Sequence, residues 1–263
     1  MFRIGFSGLV IGASLASRDG WLSLPVLSAL VIGIIVLACY AHRQLHIDEP
    51  ILNLKLFKTP AFTTGSILVM LDFGIILATM YLLPNYLQNG MGIPVAMTGI
   101  VMLPGGIVNA IVSAMAGRLY DSIGARHPVM IGFILAFIGA LMFAFANAKS
   151  AIAYMIAAHV ILMIGCPLAM SPSQTSALGS LNGLESADGS TILNTMQQIV
   201  GALSTALATS FYEAGRHAIS SSMAMRYTHG FHWGIYFAMV LIILAIVGSF
   251  RLAKHRSFSH DVN

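Results

Sequence analysis

Long apolar runs broken by short polar turns set the pattern of this chain. They cover residues 22–41, 61–83, 93–116, 128–146, 151–171, 191–212 and 231–252. A helix needs about twenty predominantly apolar residues to cross the hydrocarbon core of a bilayer, and each run approaches or exceeds that length. An eighth run, 4–16, is apolar but too short to span comfortably. Strand-type alternation is absent, which argues against an outer-membrane barrel. The pattern predicts an all-α polytopic membrane protein.

The polar breaks predict how the runs are joined. At the start, Met1-Phe2-Arg3 followed by 4–16, with Ser14 and Ala16, fits a secretory signal peptide. The tail of a longer helix fits better, because a multispanning protein seldom needs a cleaved signal and Gly8 and Gly12 form a close-packing pair there. Residues 42–60 interleave charged and polar side chains with Ile51, Leu52, Leu54, Leu56 and Phe57, as a short amphipathic piece at the membrane surface would. Residues 84–92 read as a brief outer turn. Residues 172–190, rich in Ser, Gly, Asn and Pro, read as a longer cytoplasmic stretch, with Asp188 or Ser190 as the cap of the next helix. The division expected is 1–41 for two extra transmembrane helices, the first short or truncated, and 42–60 for a cytoplasmic connector. A six-helix bundle over 61–252 and a cytoplasmic tail over 253–263 complete it.

Composition excludes water as the main solvent. Charged residues are 8% of the chain against 57% hydrophobic, and a soluble domain carries about a quarter charged residues. Mean hydropathy is +0.85. The net charge of +4 is topology rather than a nucleic-acid site. Arg3, Arg43, Lys55, Lys58, Arg118, Arg126, Arg251, Lys254 and Arg256 fall on one side of the expected spans. Only Arg18, Lys149, Arg216 and Arg226 fall on the other. That imbalance puts both termini in the cytoplasm. Cys39 and Cys166 both sit inside expected spans, so no disulfide framework is expected. No G-x-x-x-x-G-K-[ST] loop signals ATP hydrolysis, no Ser-His-Asp or metal-hydrolase spacing signals an enzyme, and no cofactor is called for.

Asp72 is the leading candidate for chemistry. It sits near the middle of 61–83, where a charged carboxylate costs roughly 2.5–3.5 kcal/mol on insertion scales. Gly65, Asp72 and Thr79 are spaced two helical turns apart and share one face. Asp72 can load and release a proton, meet a cationic substrate, or hold two helices together as a hydrogen-bonded neutral group. On 191–212, Asn194, Gln198, Gly201, Thr205 and Ala208 make one polar-to-small stripe flanked by Gln197. Its amides suit a water-filled substrate cavity or, as readily, helix–helix glue in lipid. His159, Met163, Cys166 and Met170 share a face of 151–171, and packing accounts for them better than a soft-metal site does. His229 and His232, beside Trp233 and Tyr236, suit an interfacial aromatic belt, and Asn109 suits a helix–helix hydrogen bond.

The turn Gly117-Arg118-Leu119-Tyr120-Asp121-Ser122-Ile123-Gly124-Ala125-Arg126 has G-x-x-x-D-x-x-G-x-R spacing, which resembles the loop motif of the major facilitator superfamily of secondary transporters. Pro50-Ile51-Leu52-Asn53-Leu54-Lys55-Leu56-Phe57, Leu83-Pro84-Asn85-Tyr86-Leu87-Gln88 and Leu103-Pro104-Gly105-Gly106 look like that family's fourteen-helix drug:proton antiporter branch. A two-plus-six division of helices suits its C-terminal part. The chain departs from the branch in having Gln197-Gln198 where a basic residue often precedes the glutamine.

The resemblance implies a six-helix major-facilitator-type bundle preceded by two extra helices, in a multi-pass inner-membrane protein. It implies proton-coupled multidrug efflux by alternating access, with lipophilic or cationic small molecules and protons as cargo. An N-terminal six-helix half or a second copy of the chain would complete the pore. Gly117, Arg118, Asp121, Gly124 and Arg126 would then serve a cytoplasmic latch. Asp72 would couple to protons or substrate, and Thr79, Asn194, Gln197, Gln198 and Thr205 would face the substrate. The alternative is a non-transporting membrane binding or assembly protein, including a remnant of a split or truncated transporter gene.

Overall fold

A computed structural model describes residues 2–21, 23–46 and 53–252. The expected tail over 253–263 and residues 47–52 of the expected connector lie outside the described residues. Among the described residues the α-helices are α1 (Phe2–Asp19), α2 (Leu24–His46), α3 (Pro60–Asn85), α4 (Val95–Ile123), α5 (Arg126–Ala144), α6 (Ile152–Gly179), α7 (Gly183–His217) and α8 (Met223–Ser249). No strand occurs among the described residues.

Among the described residues five segments are long and apolar enough to cross a membrane: Pro60–Gly90, Val95–Ile123, Arg126–Ala144, Ile152–Gly179 and Met223–Ser249. The apolar part of α2, Leu24–Tyr40, is shorter. Helix α7 is 35 residues long but more polar, with Glu185, Asp188, Glu213 and Arg216 along it. The chain is a multi-pass helical membrane protein.

Helices α3, α6, α5 and α8 form a ring in which each packs against the next. Helix α4 lies outside the ring against α6, and α7 lies outside it against α3 and α8. Helices α1 and α2 form a hairpin, and α1 docks it onto α7. Gly8 of α1 faces Gly33 of α2 so closely that a Cβ on Gly8 would lie 3.0 Å from the Gly33 Cα. Trp21 at the hairpin turn donates from Nε1 to Ser210 Oγ of α7 over 2.7 Å. Inside the ring, Tyr86 stacks on Phe231 at 4.2 Å between centroids, and Phe143 meets Phe231 edge-on.

Several expected turns are helical. Helix α6 runs through Pro172 to Gly179, so only three residues separate it from α7, and 172–190 is not an extended stretch. The α7 cap is Asn182, not Asp188 or Ser190: the Glu185 side chain returns to the Asn182 backbone N–H in a capping box. Helix α3 passes Pro84, and a single π-helical turn, Tyr86–Gly90, extends it. Proline survives in these helices because neighbours can satisfy the freed backbone groups. Of the connector, Leu54–Lys58 forms a 3-10 turn, and the Asn53 side chain accepts from the Lys55 N–H.

Candidate functional site

Asp72 is fully buried on α3, and neither carboxylate oxygen has a hydrogen-bond partner. Such a group is costly wherever it stands, and most natural structures avoid it. The Cys166 thiol of α6 lies alongside without reaching hydrogen-bond geometry. One heptad toward the N-terminus, α3 and α6 close up: a Cβ on Gly65 would fall 2.7 Å from the Ser173 carbonyl oxygen. Helices α3 and α6 run antiparallel, so Gly65, Asp72 and Thr79 ascend one helix as Ser173, Cys166 and His159 descend the other.

Unpartnered polar atoms concentrate on this helix pair. Among the described residues, the buried side chains with such atoms are Ser66, Asp72 and Thr79 on α3, His159 and Ser173 on α6, and Tyr212 on α7. The contrast with other hydroxyls is informative. Thr98, Thr205 and Thr209 each donate back to the carbonyl four residues earlier, as helical threonines commonly do. Thr79 does not.

Beside the pair lies a cavity of about 700 Å³, lined by Ile76 of α3, Asn109 and Ser113 of α4, Pro167, Met170 and Gln174 of α6, and the start of α7. Asp72 does not line it; Ile76 stands one turn away and Pro167 follows Cys166, so the carboxyl lies behind that wall. The sequence reading missed Ser113, Gln174 and Thr175. Two of these fall in the stretch taken for a loop, and only a helix continuing past Pro172 brings them to the cavity.

The α7 candidates separate. Asn194 and Gln198 are exposed, Gln197 is buried, and Thr205 bonds to the Gly201 carbonyl of its own helix. Gly201 packs against Leu77 and Phe73 of α3. None of Thr79, Asn194, Gln197, Gln198 and Thr205 lines the cavity. Asn109 does reach across helices, its Nδ2 lying 3.7 Å from Met163 Sδ.

The charged motif is mostly helix. Gly117, Arg118 and Asp121 belong to the last turns of α4, and only Gly124 and Ala125 separate it from α5, which begins at Arg126. Gly124 has φ of +75°, a conformation that only glycine adopts without strain, and its N–H closes α4 on the Tyr120 carbonyl. Arg118 and Asp121 are exposed and Arg126 is half-buried, and none of the three forms an ion pair among the described residues. A charge tie between turn and helix ends is thus not made within this bundle.

At the opposite end, α7 and α8 are joined by polar contacts. Arg216 bonds to Glu213 and lies 5.4 Å from the centre of the Tyr227 ring. Burial opposes the guanidinium charge, but Glu213 and Tyr227 outweigh it and hold Arg216 above the usual arginine range. His229 meets the Gly215 carbonyl at 2.8 Å and His232 the Ala146 carbonyl at 2.7 Å. These histidines staple helices together as well as sitting among aromatics.

A family model described as the Major Facilitator Superfamily matches residues 2–205. The chain is 36% identical over 259 residues to the lincomycin resistance protein LmrB of Listeria innocua, covering 95% of this chain and 55% of that protein. It is 36% identical over 262 residues to LmrB of Bacillus subtilis, with the same coverage. It is 24% identical over 199 residues to the multidrug resistance protein Stp of Mycobacterium tuberculosis, covering 76% of this chain and 37% of that one. The chain spans about half the length of the curated relatives it matches.

Proposed function

The chain belongs to the major facilitator superfamily, and from that premise we propose that it works as the C-terminal part of a proton-coupled multidrug efflux antiporter. The observation that carries the reading is Asp72, a carboxyl buried among apolar helices with no partner to stabilise it, one wall away from a cavity. An intramembrane acid without a structural partner is by default a functional group. In this reading Asp72 is protonated in one state of the transporter and released to solvent or substrate in the other. The cavity beside α3 and α6 receives a lipophilic, cationic molecule. The resistance proteins among the relatives support the drug class, and their greater length supports a partner.

Helix α4 leaves a stripe of Ile100, Leu103, Ile107, Ile111 and Met115 exposed, and α7 leaves Asn194 and Gln198 exposed. An N-terminal six-helix half, or a second copy, would cover these faces and give the two bundles that alternate access requires. With both termini cytoplasmic, Gly117, Arg118, Asp121, Gly124 and Arg126 would lie at the cytoplasmic end, where the unpaired charges of the motif would find partners across the bundle interface. Gln197 and Thr205 would then shape α7 rather than touch cargo directly.

The test is ethidium efflux from cells lacking other pumps, driven by the assembled transporter. Asp72→Asn should reduce efflux to background at unchanged protein level. Efflux that survives and still collapses with a protonophore would overturn the assignment of Asp72.

A further inference from the structure

Resting on the reading of Asp72 as the coupling group, we propose that the α3–α6 seam carries a proton relay in which Thr79 and His159 form a station outward of Asp72 and Cys166. The argument begins with helix spacing. Seven residues advance an α-helix by about 10 Å and return the side chain to nearly the same face. Thr79 and His159 each stand one such step from the Asp72 and Cys166 level, in the same direction along the antiparallel pair. Both are buried, and the Thr79 hydroxyl and His159 Nδ1 lack partners, as Asp72 does. By backbone spacing these groups therefore recur at one interval along the α3–α6 pair, with the imidazole ring reaching to α4.

The second observation is the seat of the imidazole. His159 lies against Gly105 of α4, where a Cβ would collide with Nδ1 and Cε1 of the ring. Gly105 follows Pro104 inside α4, so the Leu103-Pro104-Gly105-Gly106 phrase makes a notch in the helix surface that admits the ring edge. No hydrogen bond to Nδ1 accompanies this seat, so a ring held by packing leaves that nitrogen free to exchange a proton. The spanning stretches of α4 and α5 present no titratable group to it. Along α6 the titratable groups on either side of it are Cys166 and Tyr154, whose hydroxyl is tied to the Met142 carbonyl, and along α3 they are Asp72 and Tyr81, whose ring meets Tyr212 edge-on.

The chemistry is simple proton transfer. The imidazole accepts a proton from the outer side and becomes an imidazolium. It passes that proton, along a chain of waters ordered by the Thr79 hydroxyl across the roughly 10 Å between the two levels, to the Asp72 carboxylate, which becomes a carboxylic acid. No other bond forms or breaks. Thr79 is a positioning residue in this scheme, and Gly105 holds the ring in place.

The assembled transporter, reconstituted in liposomes with a trapped pH dye, provides the test, with ethidium as cargo. His159→Gln should keep ethidium binding while slowing ethidium-driven proton flux by at least about tenfold, the low end of what a positioned proton carrier contributes. Thr79→Val should slow it less, and Thr79→Ser should restore it. Normal proton flux in His159→Gln, with Asp72→Asn inactive, overturns the relay and leaves Asp72 as the coupling group. Normal flux in Asp72→Asn overturns the coupling reading itself. If His159→Gln does not assemble, the Thr79 pair decides: equal flux in Val and Ser variants overturns the relay.

Discussion

Helix α6 meets two neighbours at glycine contacts but with different side chains filling the two seams. Against α5 it uses glycine: a Cβ on Gly132 would lie 2.6 Å from the Ala169 nitrogen, and one on Gly139 would lie 2.6 Å from that of Leu162. Backbones touch there, and the seam is filled by Phe133, Ala136, Ala140 and Leu162, all buried and apolar. Against α3 the same helix brings Cys166 and Ser173 toward Asp72 and Gly65. In a membrane no hydrophobic drive holds helices together, so close packing supplies the adhesion and unpaired polar groups weaken it. The α5 seam suits a strut that keeps its shape. The α3 seam gives up stability, as the proposed coupling role of Asp72 would require.

Breaking the strut should have the largest effect. Gly165 of α6 sits against Gly132 and Ala136 so tightly that any side chain would collide with their backbone. Gly165→Val should cost about 3 kcal/mol or more, at the top of the range for overpacking. Thermal unfolding in detergent should show a large drop in midpoint or a failure to purify. A midpoint within a few degrees of the parent would mean that the α5 seam yields, and the contrast would fail.

Asp72→Asn addresses the other seam and should give the reverse profile. Efflux should vanish while the unfolding midpoint stays within a few degrees, because no protein hydrogen bond is lost. A large destabilisation would mark Asp72 as a structural group and make the two seams alike.

Next in size is Gly124→Ala at the turn that carries α4 into α5. Its φ of +75° penalises any Cβ, so a loss of about 1 kcal/mol is expected from backbone strain alone. The same unfolding assay reads it, and no loss would mean that the turn relaxes. This turn also shows how the sequence was legible only in part. The charged run Gly117–Arg126 announced a break between spans, yet only Gly124 and Ala125 leave the helix, because residues that form turns in water are tolerated in a helix capped by one glycine. Pro172 and Ser173 misled in the same way. The Asn182 and Glu185 capping pair was present in the sequence, but Asp188 and Ser190 stood nearer the apolar run and drew the assignment.

Within one helix the reading went further: two-turn spacing put Gly65, Asp72 and Thr79 on one face, and all three are buried on α3. That Cys166 lies beside Asp72, or that His159 sits on Gly105, depends on the register between helices far apart in sequence. Side-chain periodicity along one helix holds no information about that register. For the same reason the α7 stripe looked single, whereas Gly201 packs on α3 while Asn194 and Gln198 face away.

The finest test compares two threonines. Thr205 donates to the Gly201 carbonyl at 2.9 Å, so its hydroxyl is satisfied within its own helix; the Thr79 hydroxyl is buried and satisfied by nothing. Valine has nearly the shape of threonine and removes the hydroxyl in each case. At Thr205 the exchange should cost about 0.5 kcal/mol, the scale of a polar contact inside a membrane protein. At Thr79 it should stabilise by about 1 kcal/mol, because an uncompensated buried hydroxyl disappears. The opposite signs are the informative feature, since general disturbance of either helix would destabilise both. If Thr79→Val lowers the unfolding midpoint as Thr205→Val does, the Thr79 hydroxyl has a structural partner, and the α3 seam is held together by the polar groups that now set it apart.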